Sequence, residues 1–394
     1  MKHKNLVILS TSYWNSKLKF RRHHFASLAS VDRHKVLYVN PTFTILSFFE
    51  DDDARACYWD FLKGVKELSA TLAIYTLPPL FPFQRRFPIV DLVNRKIAMV
   101  LVERAIRKYF GAELVVEIVY VPEDFFRIQP SSNTTLVYDC VDDHAEYPWN
   151  AKRKRQVRRT EERLFRTVDL VTVSSISLLA RAKQFNPNVA SVPNGVNVEV
   201  FSKALDVEHG DLPIELRGLS GPIILYVGAI AEWFDEELMV DLCRSNKGWN
   251  IVLIGPRSVP LDTLRTCENL MLIAPRPQEL LPSYLRAADV CIIPFLVNDL
   301  TKAVNPLKVY EYLAAGKPVV STALPDVMNL KADKVVHVAL DHPEFISQIE
   351  YCIEHKRDNV DKRIGLASKF SWESIYRSFM EAIEGCEERR ANRN

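Results

Sequence analysis

A chain of 394 residues with 48% hydrophobic and 25% charged residues has ample material for a core and exceeds one ordinary domain; this excludes a disordered or fibrous protein and predicts two domains. A formal net charge of +2 gives no global field to recruit nucleic acid, so any electrostatic partner has to be read from local clusters. Seven scattered cysteines, odd in number and without a CxxC pair, argue against a disulfide framework or a zinc site.

The basic start from Met1 to Lys4 precedes an apolar run too short for a signal peptide, so residues 6–10 read as a first buried strand. No run reaches the ~20 apolar residues that cross a bilayer. The expectation is a cytoplasmic protein, with membrane contact at most peripheral, at the inner face of the plasma membrane. A basic helix over 17–28 and a second strand over 35–39 follow, and strand, helix, strand in that order signals a parallel sheet. Asp51, Asp52 and Asp53 read as a solvated loop, 72–77 as a strand, and the proline-broken 78–83 as a loop. A helix over 89–109 leads to a strand over 114–120.

The apolar strand at 135–141 runs out into Asp142 and Asp143. Carboxylates at the C-terminal end of a parallel strand sit where α/β sheets place their chemistry, so either is a candidate general base, with a capping role as the plain alternative. The charge run at 152–166 reads as a helix with one strongly basic side. It ranks first as a solvated face and next as a contact for anionic membrane, to which the basic stretch 17–24 adds; without interleaved aromatics, nucleic acid comes last.

Asn194-Gly195 is a turn signal, and the polar stretch 203–220 is the expected domain boundary. A second strand-and-helix series starts at 222–227 and ends its first strand in Gly228, which permits close approach of a ligand. Residues 232–235 start a helix, strands lie at 250–254, 270–274 and 288–294, and Pro275-Arg276-Pro277 is a loop. Asn305-Pro306 then opens a helix with Leu307, Tyr310, Leu313 and Ala314 at helical spacing, closed by Gly316 and followed by a strand at 318–320. The N-terminus of such a helix favours a phosphate, and Lys308 and Glu311 face one ligand from one turn; the plain alternative is a core helix with a charged face. The tail, 370–383, is an amphipathic helix.

The segments VPNGVN (192–197), LYVG (225–228), LPSYLRAADV (281–290) and LKVYEYLAAGKPVV (307–320), in this order and spacing, resemble the GT-B glycosyltransferases. Within them GAIAEWFD (228–235) and YDCVDD (138–143) are similar to the bacterial group related to the teichuronic-acid glycosyltransferases. The resemblance implies an α/β GT-B fold: two Rossmann-like domains, 1–205 on the acceptor side and 206–365 for the nucleotide sugar, facing a central cleft, with a C-terminal helix (366–394) that crosses back to the first domain. It implies transfer of a sugar from a nucleotide-diphosphate donor to a hydroxyl of a cell-envelope or exopolysaccharide acceptor, lipid-linked or not, without metal or cofactor.

In that scheme Glu311 bonds the ribose hydroxyls, the helix start Asn305, Pro306, Leu307 and Lys308 holds the diphosphate, Pro275 and Arg276 lie beside the base, and Gly228 and Glu232 belong to the donor loop. Two departures stand out. Retaining members carry two glutamates eight positions apart, and the first is here Ala303; a basic residue usual after the glycine is replaced by Glu232-Trp233-Phe234-Asp235. An inverting route with Asp142 or Asp143 as base fits equally, with Lys302 or Lys308 supplying the missing charge. Trp372 matches the aromatic anchor of the family's last helix. The rival readings are a nucleotide-sugar epimerase and a catalytically inactive binding partner.

Overall fold

The computed structural model describes residues 3–84, 86–126, 131–331 and 334–392, so Met1 and Lys2 of the basic start lie outside the described residues. The chain divides into two compact units. The first comprises Met1–Ser174, Leu178–Val192 and Tyr376–Asn394, and the second Ser175–Ser177 and Pro193–Ile375. The units therefore part at Val192/Pro193 and Ile375/Tyr376, against the expected 205/206 and 365/366, and the polar stretch 203–220 lies inside the second unit.

The first unit holds β1 (Asn5–Leu9), β2 (Lys35–Val39), β3 (Val65–Glu67), β4 (Leu72–Tyr75), β5 (Val115–Val119), β6 (Thr134–Cys140), β7 (Leu170–Val173) and β8 (Val189–Ser191). They form one sheet in the order β3-β4-β2-β1-β5-β6-β7-β8, parallel throughout except for β3 against β4. Central strands such as β1 and β2 are apolar after their first residue, as expected where helices cover both faces of a parallel sheet. The second unit holds β9 (Ile223–Val227), β10 (Asn250–Ile254), β11 (Leu270–Ile273), β12 (Val290–Ile293), β13 (Val319–Thr322) and β14 (Val336–Ala339), wholly parallel in the order β11-β10-β9-β12-β13-β14. Two Rossmann-like series, one per unit, are thus present as expected.

The last helix, Trp372–Ala391, begins in the second unit and from Tyr376 onward belongs to the first, so the chain returns to where it started. Phe379 packs its ring 4.7 Å from that of Phe25, Lys4 pairs with Glu387, and Arg390 Nη2 donates to the Ser131 carbonyl at 2.7 Å.

Four local expectations are corrected. Asp51–Asp53 is no loop: Asp51 Oδ1 accepts the N–H groups of Asp53 and Ala54 at 2.9 and 3.0 Å and caps the helix Asp52–Cys57. The helix expected at 17–28 starts only at Arg21 and runs to Val31. Residues 232–234 precede their helix, which is Glu236–Ser245, capped by Asp235 through the Leu238 N–H at 2.9 Å. Asn194-Gly195 makes no reverse turn, and Gly195 does not take a positive φ.

What Gly195 provides is room. A Cβ there would lie 2.5 Å from the Trp372 ring, whose own backbone pairs with Val196 through a Trp372 N–H to carbonyl bond of 3.2 Å. Gly195→Ala therefore forces the indole out of place, and overpacking of this kind costs roughly 1–3 kcal/mol. The urea midpoint is expected to fall with little change in slope, and the loss to shrink when the same substitution is made in a Trp372→Ala background.

Candidate functional site

In the second unit the end of β9 is shaped by two glycines. A Cβ on Gly228 would meet the Tyr226 hydroxyl at 2.6 Å, and one on Gly255, at φ +155°, would meet the Gly228 carbonyl at 1.9 Å. The backbones leaving β9 and β10 therefore approach closely at Gly255, where no larger residue fits, while at Gly228 a side chain would have to displace the Tyr226 ring. Tyr226 Oη donates to the Ala229 carbonyl at 2.8 Å, and Tyr312 Oη accepts the Val227 N–H at 2.8 Å while donating to its carbonyl at 3.3 Å. Tyr312 thereby fixes the helix Leu307–Ala314 to the strand end beside Gly228.

The start of that helix carries the most expected site residues. Pro306 is the N-cap; its carbonyl accepts the Val309 N–H at 3.2 Å, and no described side chain caps the first turn, so the N–H groups of Leu307 and Lys308 are available to a ligand. Asn305 is buried and its side chain is fully engaged: Nδ2 donates to Tyr310 Oη at 3.0 Å and Asp326 Oδ1 at 3.3 Å, and Oδ1 accepts the Asn194 N–H at 3.0 Å. Asn194 Nδ2 returns a bond to the Asn305 carbonyl at 2.9 Å. Asn305 is thus a brace that aims the turn rather than a side chain free for phosphate. Leu307 is exposed, and Lys308 Nζ lies 2.6 Å from Glu311 Oε2 on one helical turn, the carboxylate largely buried and the ammonium less so. A carboxylate is an acceptor for a diol, and an ammonium offsets phosphate charge. Gly316, at φ +72°, closes the helix as expected.

The other expected donor-side residues are placed as follows. Glu232 is exposed on the loop after β9, and Pro275 is exposed after β11. Arg276 is held by Tyr284 Oη at 2.9 Å from Nε and by Glu215 Oε1 at 2.7 Å from Nη2, bonds that raise its pKa; a backbone hydrogen bond first and the Arg276 bond second lower that of Glu215. Ala303 is buried in the turn Thr301–Ala303, where its methyl group offers no hydrogen bond, and Lys302 lies 3.5 Å from Asp299.

In the first unit the two aspartates after β6 differ. Asp142 is half-buried and accepts a bond from Tyr147 Oη at 3.1 Å. Asp143 is buried, pairs with Arg181, lies 3.6 Å from Arg158 and accepts the Ala145 N–H at 3.2 Å. Arg181 also pairs with Glu161, fully buried on the helix Ala151–Thr167, which accepts from Tyr138 Oη at 2.8 Å; burial pushes the Glu161 carboxyl up, against the pull of Arg181. The same helix spends Arg153 on Glu123 and both Lys154 and Arg158 on Glu146, so much of its basic side is turned to internal partners.

The basic stretch 17–24 is divided: Lys17 and Lys19 are exposed and Arg22 is half-buried, while Arg21 and His23 are turned inward. Arg21 is buried against Asp139, with bonds of 2.7 and 3.1 Å, and Asp139 also accepts from Thr172 Oγ1 at 2.7 Å. His23 is buried beside the Tyr13 carbonyl and Tyr38 Oη, and burial pushes its pKa down to about 4, so it is neutral at pH 7.

Sequence reasoning missed Asn194, Tyr310, Tyr312 and Asp326 as the frame of the helix start. The sequence signals Asn194 only as a turn residue, and nothing local marks Asp326, whose partner Asn305 is 21 positions away. Asp326 has a pKa raised to about 6 by burial, in spite of N–H donors from Ile176 and Asn305 at 3.3 Å each. In the unfolded chain an aspartate titrates near ~3.9. The neutral form is thus favoured by folding: its stabilisation is complete below ~3.9 and is lost as pH rises through about 6. Asp326→Asn is expected to melt above the wild type at pH 7.5, with the advantage vanishing by about pH 4, as followed by thermal denaturation across pH.

Residues 221–355 match the family described as Glycosyl transferases group 1. Over 265 residues, 62% of this chain and 66% of the relative, so just under two thirds of that protein's length, the chain is 27% identical to "Putative teichuronic acid biosynthesis glycosyltransferase TuaH" of Bacillus subtilis (strain 168). Among solved structures it is similar to sucrose-phosphate synthase from Thermosynechococcus elongatus, with a TM-score of 0.70 at 14% identity over 97% of this chain and 99% of that one. It is likewise similar to Anabaena HepE in complex with UDP, with a TM-score of 0.64 at 13% identity over 98% and 100% of the two chains. At these identities the structures establish the fold.

Proposed function

We propose that this chain, GT-B in fold and with a glycosyl transferases group 1 domain at residues 221–355, moves a sugar from a nucleotide-diphosphate donor to a hydroxyl of a cell-envelope or exopolysaccharide acceptor, lipid-linked, at the inner face of the plasma membrane. The observation that carries the reading is the Lys308–Glu311 pair on the first turns of a helix that no described side chain caps. The diphosphate takes the N–H groups of Leu307 and Lys308 and draws the Lys308 ammonium toward it; Glu311 exchanges that partner for the ribose diol. The turn is held by Asn305 and Pro306, Gly228 and Glu232 form the loop facing the donor, and Pro275 with Arg276 flank the base. The relative's naming for teichuronic acid biosynthesis supports the envelope acceptor, and the neighbour solved with UDP makes uracil the first base to try.

In the transfer, the acceptor oxygen bonds to the anomeric carbon, the bond from that carbon to the diphosphate oxygen breaks, and the nucleotide leaves with the electron pair. Lys308 and the helix N–H groups offset the charge that leaves. The acceptor proton goes to Asp142, whose only described side-chain partner is a neutral phenol, whereas Asp143 is engaged by two guanidinium groups and fixes the loop.

A screen of nucleotide sugars by thermal shift is expected to yield one donor that raises the melting temperature. Glu311→Ala should weaken that donor about 10- to 100-fold, the range for a hydrogen bond to a charged group. An unchanged donor affinity removes Glu311 from the site. Asp142→Asn should lower turnover on the order of 10²- to 10⁴-fold with donor affinity retained, and Asp143→Asn should lower the melting temperature as well. Epimer formed from donor alone, with no acceptor present, overturns transfer.

A further inference from the structure

The first unit carries a face that ordinary soluble helices lack. The helix Pro88–Phe110 buries Asn94, Ala98, Val102 and Ala105 toward the core. The side turned away from them should be polar. Instead Ile89, Leu92, Val93 and Val100 are 77, 55, 40 and 39% exposed there. The loop entering the helix adds Phe81 at 54%, Phe83 at 60% and Phe87 at 50%.

This loop is built, not loose. The buried Asn94 side chain accepts the Phe81 N–H at 3.1 Å and donates to the Phe81 carbonyl at 2.8 Å and to Gln84 Oε1 at 3.0 Å, clamping the loop to the helix. Phe83 sits at φ +64°, a region that bulky side chains rarely adopt, and its carbonyl accepts the N–H groups of Arg86 and Phe87 at 2.9 and 3.1 Å. A strained backbone is thus held so that an aromatic ring points into solvent.

Charge accompanies the apolar face. The helix has five basic residues (Arg95, Lys96, Arg104, Arg107, Lys108) against two acidic ones (Asp91, Glu103), and Lys96, Arg104 and Lys108 are exposed. Exposed aromatic and aliphatic side chains interleaved with an excess of cations match the interface of an anionic bilayer: the rings enter the boundary between headgroups and acyl chains, and the cations remain among the phosphates. We propose that residues 81–84 and 86–108 of the first unit are a docking surface for an anionic lipid bilayer. The helix Ala151–Thr167, though more basic, is no substitute, because its exposed positions (Lys152, Arg155, Gln156, Arg159, Arg163, Arg166) beyond the small Ala151 are polar and have nothing to insert. The loop leaves the C-terminal end of β4, the sheet edge at which α/β units bind ligands, so docking brings the bilayer to the edge where a lipid-linked acceptor is wanted. Only this use rests on the proposed transfer; the docking itself does not.

The test is flotation of the full chain with vesicles of phosphatidylglycerol mixed with phosphatidylcholine, and of phosphatidylcholine alone. Wild type is expected to bind the anionic vesicles preferentially. Phe83→Ser/Ile89→Ser/Leu92→Ser should lower the partition coefficient about tenfold or more while leaving the melting temperature and donor binding unchanged. Phe83→Gly should weaken binding yet raise the melting temperature, because glycine tolerates this φ. Lys152→Ser/Arg155→Ser/Arg159→Ser should bind nearly as wild type. Failure of wild type to bind anionic vesicles, wild-type partitioning of the triple serine variant, or a concentration-dependent dimer that this variant abolishes without any effect on lipid, each overturns docking. Vesicle binding without any sugar transfer overturns only the transfer reading.

Discussion

Both backbone polar atoms of Val227, the last residue of β9, are held by one hydroxyl, that of Tyr312. A strand end buried beneath a helix would otherwise carry an orphaned N–H and carbonyl, each costly to leave unpaired. By meeting both, Tyr312 sets the distance between the helix Leu307–Ala314 and the loop at Gly228. The helix can then be uncapped at its start without being loose, since Asn305 braces its first turn from Asn194, Tyr310 and Asp326. What this frame leaves open is the N–H groups of Leu307 and Lys308, with a cation and a carboxylate beside them.

The two units use charge in opposite ways. In the second, Lys308 and Glu311 pair with each other on one helical turn, and a partly exposed pair of this kind is readily exchanged for better partners. In the first, Arg21 with Asp139 and Arg181 with Glu161 and Asp143 are buried, and removing one member leaves a charge with nothing to replace it. These inner pairs fix the ends of β6 and the loop beyond it, and so decide which of two adjacent aspartates is open and which is committed.

Periodicity made most of the fold legible. Strands such as 35–39 and 250–254, and the long helix from about 89, are continuous apolar runs or regular repeats whose physics is local. Lys308 and Glu311 were legible for the same reason, as their spacing alone puts them on one turn. Asp326 was not, because its meaning depends on a partner brought in by tertiary packing. Arg21 and His23 misled for a related reason: a run of basic letters does not say which of them the fold turns inward. Asn194-Gly195 carried the composition of a turn, while the real demand on Gly195 comes from an indole at Trp372, remote in the chain.

The return of the last helix to the first unit gives the chain an order of completion. The residues from Tyr376 onward supply Phe379 against Phe25, Glu387 against Lys4 and Arg390 at the start of β6, contacts between segments more than 200 residues apart in the chain. A ribosome delivers the N-terminal strands first, and domains that are continuous in sequence can close as they emerge. Here the second unit is nearly contiguous and can close while its successor residues are still being made. The first, synthesised earlier, waits for the final turns of the chain and is the later of the two to be sealed.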